Sequence, residues 1–416
     1  MFVDSSNLNG LCSCGRDHCM VTRGALIEEG ALFKIEEYLE RYSISGKRCA
    51  LYGGNGYAAV ADRRVKAQQE IVLDPEGLHA NEVATAKVLE IMDSDVEVLI
   101  AVGSGTIHDV ARYCAHERGI RFVSVPTAAS VDGFCSTVAA MTWYGYKKTM
   151  PAVAPEIVIA DTDIIKNAPF RLTASGVGDI MAKYTALADW RIANELTGEY
   201  LCERIYAIMK EAADTVMDSV PGLIKGDASA YEAVTYALIM SGLAMQMMGN
   251  SRPASGCEHH ISHMTEMEPV AFPVAFPAMH GEKTGVGSIL AAREYKRLAQ
   301  LESLEGKLCA YEPVSEDKLR AFFGEKLFEA VVEENRSDSL APVTAARLAE
   351  CWPKIRAIIE GIPSPEWLYG LLEQLDAKRE LSHIGLEEEQ LDTLLEYSPL
   401  VRNRLTLMRA RRMIKY

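Results

Sequence analysis

Across the first 165 residues, short apolar runs alternate with stretches whose apolar positions recur every three to four residues. Segments 47–52 (KRCALY), 70–73 (EIVL), 96–102 (VEVLIAV), 121–125 and 156–160 (EIVIA) read as buried strands. Segments 81–92 and 107–118 between them have helical spacing. The nearly unbroken run at 96–102 suits a central parallel strand covered on both faces. Strand, helix and strand at this pace predict βαβ units and a doubly wound, Rossmann-like sheet. Beyond about residue 165 the spacing becomes helical throughout, over 173–194, 200–217, 228–248, 288–301 and much of 316–400. Asn167-Ala168-Pro169 interrupts the pattern. The chain therefore divides, in expectation, into an α/β dinucleotide-binding domain, 1–166, and an all-α domain, 167–416.

Composition narrows this picture. The 416 residues are 49% apolar and 24% charged, which excludes wholesale disorder and a fibrous repeat. A formal charge of −15 argues against a nucleic-acid-wrapping protein, since phosphate contacts need basic side chains. The ten scattered cysteines read as reduced thiols rather than a disulfide framework. No basic stretch followed by an apolar run opens the chain, and no segment approaches eighteen uncharged apolar residues, so a cytoplasmic protein without integral membrane association is expected. The last fifteen residues, RNRLTLMRARRMIKY, carry six basic side chains and read as a final helix with a solvated face rather than a polyanion-binding tail.

Gly103-Ser104-Gly105-Thr106 lies between the strongest strand and a helix. Such a turn admits a phosphate close to the backbone, where the helix N-terminus offers N–H groups and a positive dipole end. His108 occupies the place of the third glycine in the usual fingerprint, so a nucleotide site and a structural turn both stay open. Asp109 reads as a first-turn acid, able to complement the dipole or hold a ribose or nicotinamide group. The earlier turn Gly53-Gly54-Asn55-Gly56 adds weight, with Asp74 eighteen residues beyond it as a ribose acceptor or a plain strand-end turn residue. The stretch 124–136, SVPTAASVDGFCS, is small and polar directly after a strand, where open α/β sheets bind ligands. Thr127 and Ser130 are placed to reach phosphate or ribose oxygens, and Asp132 a hydroxyl.

His259, His260, His263 and His280 fall within 22 residues. A carboxylate with two imidazoles is a ligand set for Zn²⁺, Ni²⁺ or Fe²⁺. His259 and His263, four apart, share a face if their stretch is helical. Either both bind metal, or one binds metal while the other meets substrate, or they are ordinary core and surface histidines. Glu258 precedes His259, so this is not the H-E-x-x-H pattern. Cys12-x-Cys14 with His18 and Cys19 is a weaker second candidate, a single local cluster without a counterpart in the sequence.

Together GSGTIHD (103–109), SVPTAASVDGFCS (124–136), GVGD (176–179), GCEHHISH (256–263) and HGEKTGVG (280–287) resemble the glycerol-1-phosphate dehydrogenase family, most strongly its bacterial form. That family belongs to the superfamily of metal-dependent alcohol and glycerol dehydrogenases and dehydroquinate synthase. The resemblance covers roughly residues 45–290. It implies an iron-containing alcohol dehydrogenase-like, dehydroquinate synthase-like fold, with metal and substrate held by the helical domain. Asp179, His259 and His280 match the family's metal ligands. Asp132, Asp179 and His263 match its substrate-contacting and catalytic positions. Gly103, Ser104, Gly105, Thr106, Ile107, Asp109, Thr127, Ala128, Ala129, Ser130 and Ser136 match cofactor-contacting positions.

The implied reaction is reversible NAD(P)H-dependent reduction of dihydroxyacetone phosphate to sn-glycerol 1-phosphate, with one divalent metal ion per subunit polarising the carbonyl. Nickel is favoured by the bacterial resemblance, with zinc, described in archaeal relatives, as the alternative. Asp74, if it faces the ribose, leans towards NADH. His263 would shuttle a proton, and Lys147 and Lys148 are candidates for the substrate phosphate. The partners implied are a small phosphorylated ketone or alcohol and a second copy of the chain as a homodimer. The product serves lipid synthesis or sugar metabolism, which the sequence leaves open. Glycerol dehydrogenases carry G-G-G-K where this chain has GSGT, which counts against unphosphorylated glycerol. A glycerol dehydrogenase and a dehydroquinate synthase-like enzyme remain the alternatives, ahead of a non-catalytic nucleotide-binding protein.

Overall fold

The computed structural model describes residues 1–415. Its strands are β1 (Phe2–Asp4), β2 (Gly10–Leu11), β3 (Asp17–His18), β4 (Gly24–Glu28), β5 (Arg48–Gly53) and β6 (Gln69–Leu73). They continue with β7 (Val98–Gly103), β8 (Arg121–Pro126), β9 (Val138–Trp143), β10 (Tyr146–Pro151) and β11 (Ile157–Asp161). The helices among and directly after the strands are α1 (Ile35–Arg41), α2 (Gly54–Val60), α3 (Glu82–Ile91), α4 (Gly105–Arg118) and α5 (Thr162–Asn167). Next come α6 (Phe170–Met181), α7 (Lys183–Thr197), α8 (Glu203–Lys225) and α9 (Ala228–Met248). After these, α10 (Cys257–Met267) and α11 (His280–Ala299) precede a series of shorter helices.

Backbone contacts divide the chain into two compact units. The first contains Met1–Ile180 and Glu211–Ser251, the second Met181–Lys210 and Arg252–Tyr416. The sequence pattern puts a single boundary at 166/167, whereas the units exchange chain within α6, within α8 and after Ser251.

The first unit is built on a seven-stranded sheet in the order β1-β4-β11-β8-β7-β5-β6. The six strands from β4 to β6 run parallel, and β1 pairs antiparallel with β4 at one edge. All six residues of β7 are buried, as its continuous apolar run predicts. Val98, Ile100 and Val102 pack on one face with Tyr52, Val123 and Ile159, while Leu99 and Ala101 pack on the other with Leu51, Val110 and Phe122. From β5 the chain first adds β6 on one side and then β7 on the other. The sheet therefore has its topological switch point between β5 and β7, where the two glycine turns lie and where open α/β sheets bind ligands. The periodicity finds the strands from β5 to β8 and β11 to within a few residues. It misses β1 and β4, which are three and five residues long. It also misses the β9–β10 ribbon, whose burial does not alternate cleanly.

The second unit is helical. The expected segment at 173–194 is two helices that meet at Ala182, with α6 almost wholly in the first unit and α7 in the second. The basic C-terminus is not a solvated face. Arg409 is fully buried and ion-pairs with Asp338 at 2.8 Å, Arg411 pairs with Glu294 at 3.0 Å, and Arg404 donates to the Ser255 carbonyl at 2.6 Å. A charge count does not show that the matching carbonyls and acids lie elsewhere in the chain.

Candidate functional site

In the first unit the Gly103-Ser104 turn ends β7 and opens α4, whose N-terminal N–H groups receive no side-chain cap. That combination leaves backbone donors and a dipole end for an anion. The helix starts at Gly105, two residues earlier than its apolar spacing suggests. Asp109 consequently lies beyond the first turn, 3.8 Å from Arg112 of the same helix. His108, where the fingerprint has glycine, is buried, with Nδ1 3.0 Å from the Ser104 carbonyl and its ring against Phe134. Burial pushes its pKa down to about 3, so it is a neutral packing group at the turn.

The polar loop after β8 is held in place by groups distant in sequence. Thr127 N–H donates to the Gly103 carbonyl at 3.0 Å, which joins loop and glycine turn. Thr127, Ala128, Ala129, Ser130 and Ser136 are all buried. The Ser136 hydroxyl donates to the Val138 carbonyl at 2.9 Å and closes the loop's far end. Arg112, fully buried, donates to the carbonyls of Phe134, Ser136 and Val138 at 3.1–3.2 Å. A Cβ on Gly176 of α6 would lie 2.0 Å from the Ala129 carbonyl oxygen, and one on Gly242 of α9 2.8 Å from the Cys135 Cβ. Only glycine allows helices to approach the loop so closely. Gln246 of α9 donates to the Cys135 carbonyl and to Thr22 Oγ1, each at 2.6 Å.

Asp132, on this loop, is buried. Ser241 of α9 donates its hydroxyl to Asp132 Oδ2 at 2.8 Å, and the Asp132 N–H donates to Asp179 Oδ2 at 3.0 Å. The structure thus brings Asp132 and Asp179 together in this unit, with Ser241 orienting the first. Arg112, Ser241 and Gln246 escape a sequence reading, because nothing in their local pattern sets them apart from other helix residues. Asp74 follows β6 beside the switch point, exposed, and accepts the Glu76 N–H at 3.0 Å in a turn. Lys147 and Lys148 are neighbours on β10 and therefore point to opposite faces of its ribbon.

In the second unit His259 and His263 do lie on one helix, α10, and His280 is the first residue of α11. The three rings converge, with centroid separations of 5.3 Å for His259–His280, 5.9 Å for His263–His280 and 6.0 Å for His259–His263. Each of the two predicted ligands rests on a carboxylate. His259 Nδ1 lies 2.8 Å from Glu258 Oε1, and His280 Nδ1 3.1 Å from Glu266 Oε1. A carboxylate accepting from Nδ1 fixes the tautomer with its lone pair on Nε2, the usual support of a metal-binding histidine. The donor set therefore fits a borderline divalent cation.

Glu258 is itself fully buried. It also accepts the Gly256 N–H at 2.6 Å and the Thr185 hydroxyl at 2.7 Å. Burial raises its pKa, but these donors and His259 outweigh that and hold the carboxyl below its ordinary value. Asp189 receives the Cys257 and Leu407 N–H groups and the Tyr295 hydroxyl, which anchors the start of α10. His260 is buried on another side of α10, and burial keeps its pKa well below normal, so it is a core histidine.

Comparison with known proteins bears on both units. A family model described as iron-containing alcohol dehydrogenase matches residues 26–169. Among solved structures, an NADH-dependent butanol dehydrogenase A from Thermotoga maritima superposes with a TM-score of 0.62 at 16% identity, over 98% of this chain and 96% of that one. An iron-containing alcohol dehydrogenase from Corynebacterium glutamicum gives 0.60 at 16% identity, over 94% and 91%. The fold is that of the iron-containing alcohol dehydrogenases. The glycerol-1-phosphate dehydrogenase [NAD(P)+] of Geobacillus stearothermophilus is 31% identical over 412 residues, covering 95% of this chain and 94% of the relative. The enzyme of that name from Thermococcus kodakarensis is 36% identical over 283 residues, covering 67% and 79%. The chain belongs to the glycerol-1-phosphate dehydrogenase family of oxidoreductases.

Proposed function

We propose that this enzyme reduces dihydroxyacetone phosphate to sn-glycerol 1-phosphate, reversibly, with NADH or NADPH as hydride donor. The observation that carries the reading is the pair of carboxylate-backed imidazoles, His259 and His280, in a chain related along almost its whole length to enzymes of that name. In this proposal Asp179, His259 and His280 hold one divalent ion per subunit, nickel by preference and zinc as the alternative. Such an ion polarises a carbonyl and stabilises the alkoxide that hydride transfer creates.

The chain's own residues supply the rest. The Gly103–Thr106 turn at the α4 N-terminus would hold the cofactor pyrophosphate, with Ile107 and Asp109 as further cofactor-contacting residues and Asp109 assigned to the nicotinamide end. Thr127–Ser130 and Ser136 complete the cofactor wall. Asp132, oriented by Ser241, accepts a hydrogen bond from a substrate hydroxyl and fixes the face presented to hydride. His263, one helical turn from His259, carries the proton that the product oxygen gains, a task suited to an imidazole near neutrality. We also infer a cytoplasmic homodimer. The ten cysteines, all free of disulfides, support the reducing compartment.

The test is to strip the protein with a chelator, reload it separately with Ni²⁺ and Zn²⁺, and follow NADH and NADPH oxidation. Turnover of the phosphorylated ketone but not of free dihydroxyacetone, giving sn-glycerol 1-phosphate, is expected. Turnover of the free ketone alone would make this a glycerol dehydrogenase, and silence with both ketones despite bound metal would overturn the substrate.

A further inference from the structure

The N-terminal hairpin assembles a second set of metal donors within the first unit. Strands β2 and β3 pair Gly10 with His18 and Leu11 with Asp17. The chain reverses over Cys12-Ser13-Cys14-Gly15-Arg16, closed by the Cys12 N–H on the Arg16 carbonyl and the Gly15 N–H on the Cys12 carbonyl, each at 2.9 Å. Gly15 has φ +85°, a backbone state that favours glycine and lets the turn curl beneath both thiols. Cys12, Cys14 and His18 each bring one ligand atom within 4.8 Å of the others, with Cys14 Sγ 3.5 Å from His18 Nε2.

His18 is set up as a ligand in the same way as His259 and His280. Its ring is buried, and Nδ1 donates to the Met247 carbonyl at the end of α9 at 2.8 Å, which leaves the lone pair on Nε2, facing the thiols. Cys12 and Cys14 both direct their sulfurs at the His18 ring, so two soft donors from one loop converge on a single imidazole.

We propose that Cys12, Cys14 and His18 bind a structural zinc ion, with water or a further thiolate of the chain in the fourth position. Two thiolates and an imidazole are a soft donor set suited to zinc. Binding releases the two thiol protons. The ion ties the hairpin, through His18 and Met247, to the C-terminal end of α9, the helix whose Ser241 and Gln246 position the polar loop. It is thus a stability site remote in sequence from the proposed catalytic ion, and it contains sulfur where the catalytic set has none.

That difference supplies the test. The full chain is purified under reducing conditions as wild type, as His259→Ala/His280→Ala and as Cys12→Ser/Cys14→Ser, and metal content is measured by mass spectrometry. The histidine variant should retain one zinc per chain and, when loaded with cobalt, show a thiolate-to-cobalt charge-transfer band. The cysteine variant should lose that ion and that band. A histidine variant with no tightly held ion and no sulfur-to-metal band overturns the proposal, and this readout stands even if the cysteine variant fails to fold. Alkylation gives an independent check on the wild type. Cys12 and Cys14 should be protected until a strong chelator is added, and equal labelling with and without chelator would contradict the site.

Discussion

The two units present their chemistry in different ways. In the α/β unit the candidate groups sit on a turn and a loop, and their positions depend on distant partners: Arg112 on three loop carbonyls, Ser241 on Asp132, Gly176 and Gly242 on close helix approach. In the helical unit the candidate ligands project from two helix ends, and their placement follows from spacing and from two carboxylates of α10, Glu258 behind His259 and Glu266 behind His280. A loop site is therefore fragile to changes far along the sequence. A helix-face site is fragile mainly to changes in the ligands and the acids behind them.

The largest predicted effect falls on the helix face. His280→Ala should lower turnover by roughly 10³-fold or more, the several kcal/mol that a Lewis acid contributes to a developing alkoxide, while leaving the fold intact by circular dichroism. Steady-state kinetics with matched metal analysis check it, and full rate with full metal content would remove His280 from the ligand set. Next comes the loop. Arg112→Met removes the arginine donor from the Phe134 and Ser136 carbonyls, while Val138 keeps the Ser136 hydroxyl, and should cost roughly 1–3 kcal/mol for each carbonyl left unpaired, read by urea unfolding. Cofactor affinity should fall with it, and a change within about 0.5 kcal/mol would show that the loop does not need its buried arginine.

A smaller effect is expected behind the metal. Glu258→Gln should weaken metal retention by roughly 10–100-fold in a chelator competition, with cofactor affinity unchanged. Unchanged retention would separate His259 from its carboxylate support. The smallest effect is a slope. The folded-state pKa of His108 is depressed to about 3, so below pH 6.5 the unfolded chain takes up a proton that the native chain refuses. This residue therefore contributes stability above 6.5 that is lost as pH falls, at up to about 1.4 kcal/mol per pH unit. Between pH 7 and 5 the stability of His108→Gln should fall less steeply than that of wild type. Parallel curves would mean that His108 is not neutral in the native state.

The same contrast explains what the sequence discloses. The strands at β5, β7 and β8 are long continuous apolar runs, and His259 and His263 are four apart on a segment of helical spacing, so pattern alone places them. The β1 and β4 edge, Arg112, Ser241 and Gln246 depend on pairings between segments 20 to more than 200 residues apart, which no local period encodes. The basic C-terminus misleads for the same reason, since Asp338 and Glu294, which neutralise it, are distant in the chain. The cysteine hairpin is half legible. Cys12-x-Cys14 and His18 stand out by eye, but only the β2–β3 pairing and the Met247 carbonyl show that the ring faces the thiols.

In the proposed enzyme, cofactor binding does not depend on the α10–α11 histidines, and metal-dependent turnover does. Titrating NADH into the His259→Ala/His280→Ala protein by fluorescence, beside its turnover of dihydroxyacetone phosphate, tests it most directly. Wild-type NADH affinity with turnover abolished is expected. Retained turnover, or NADH binding lost together with the two imidazoles, would contradict it.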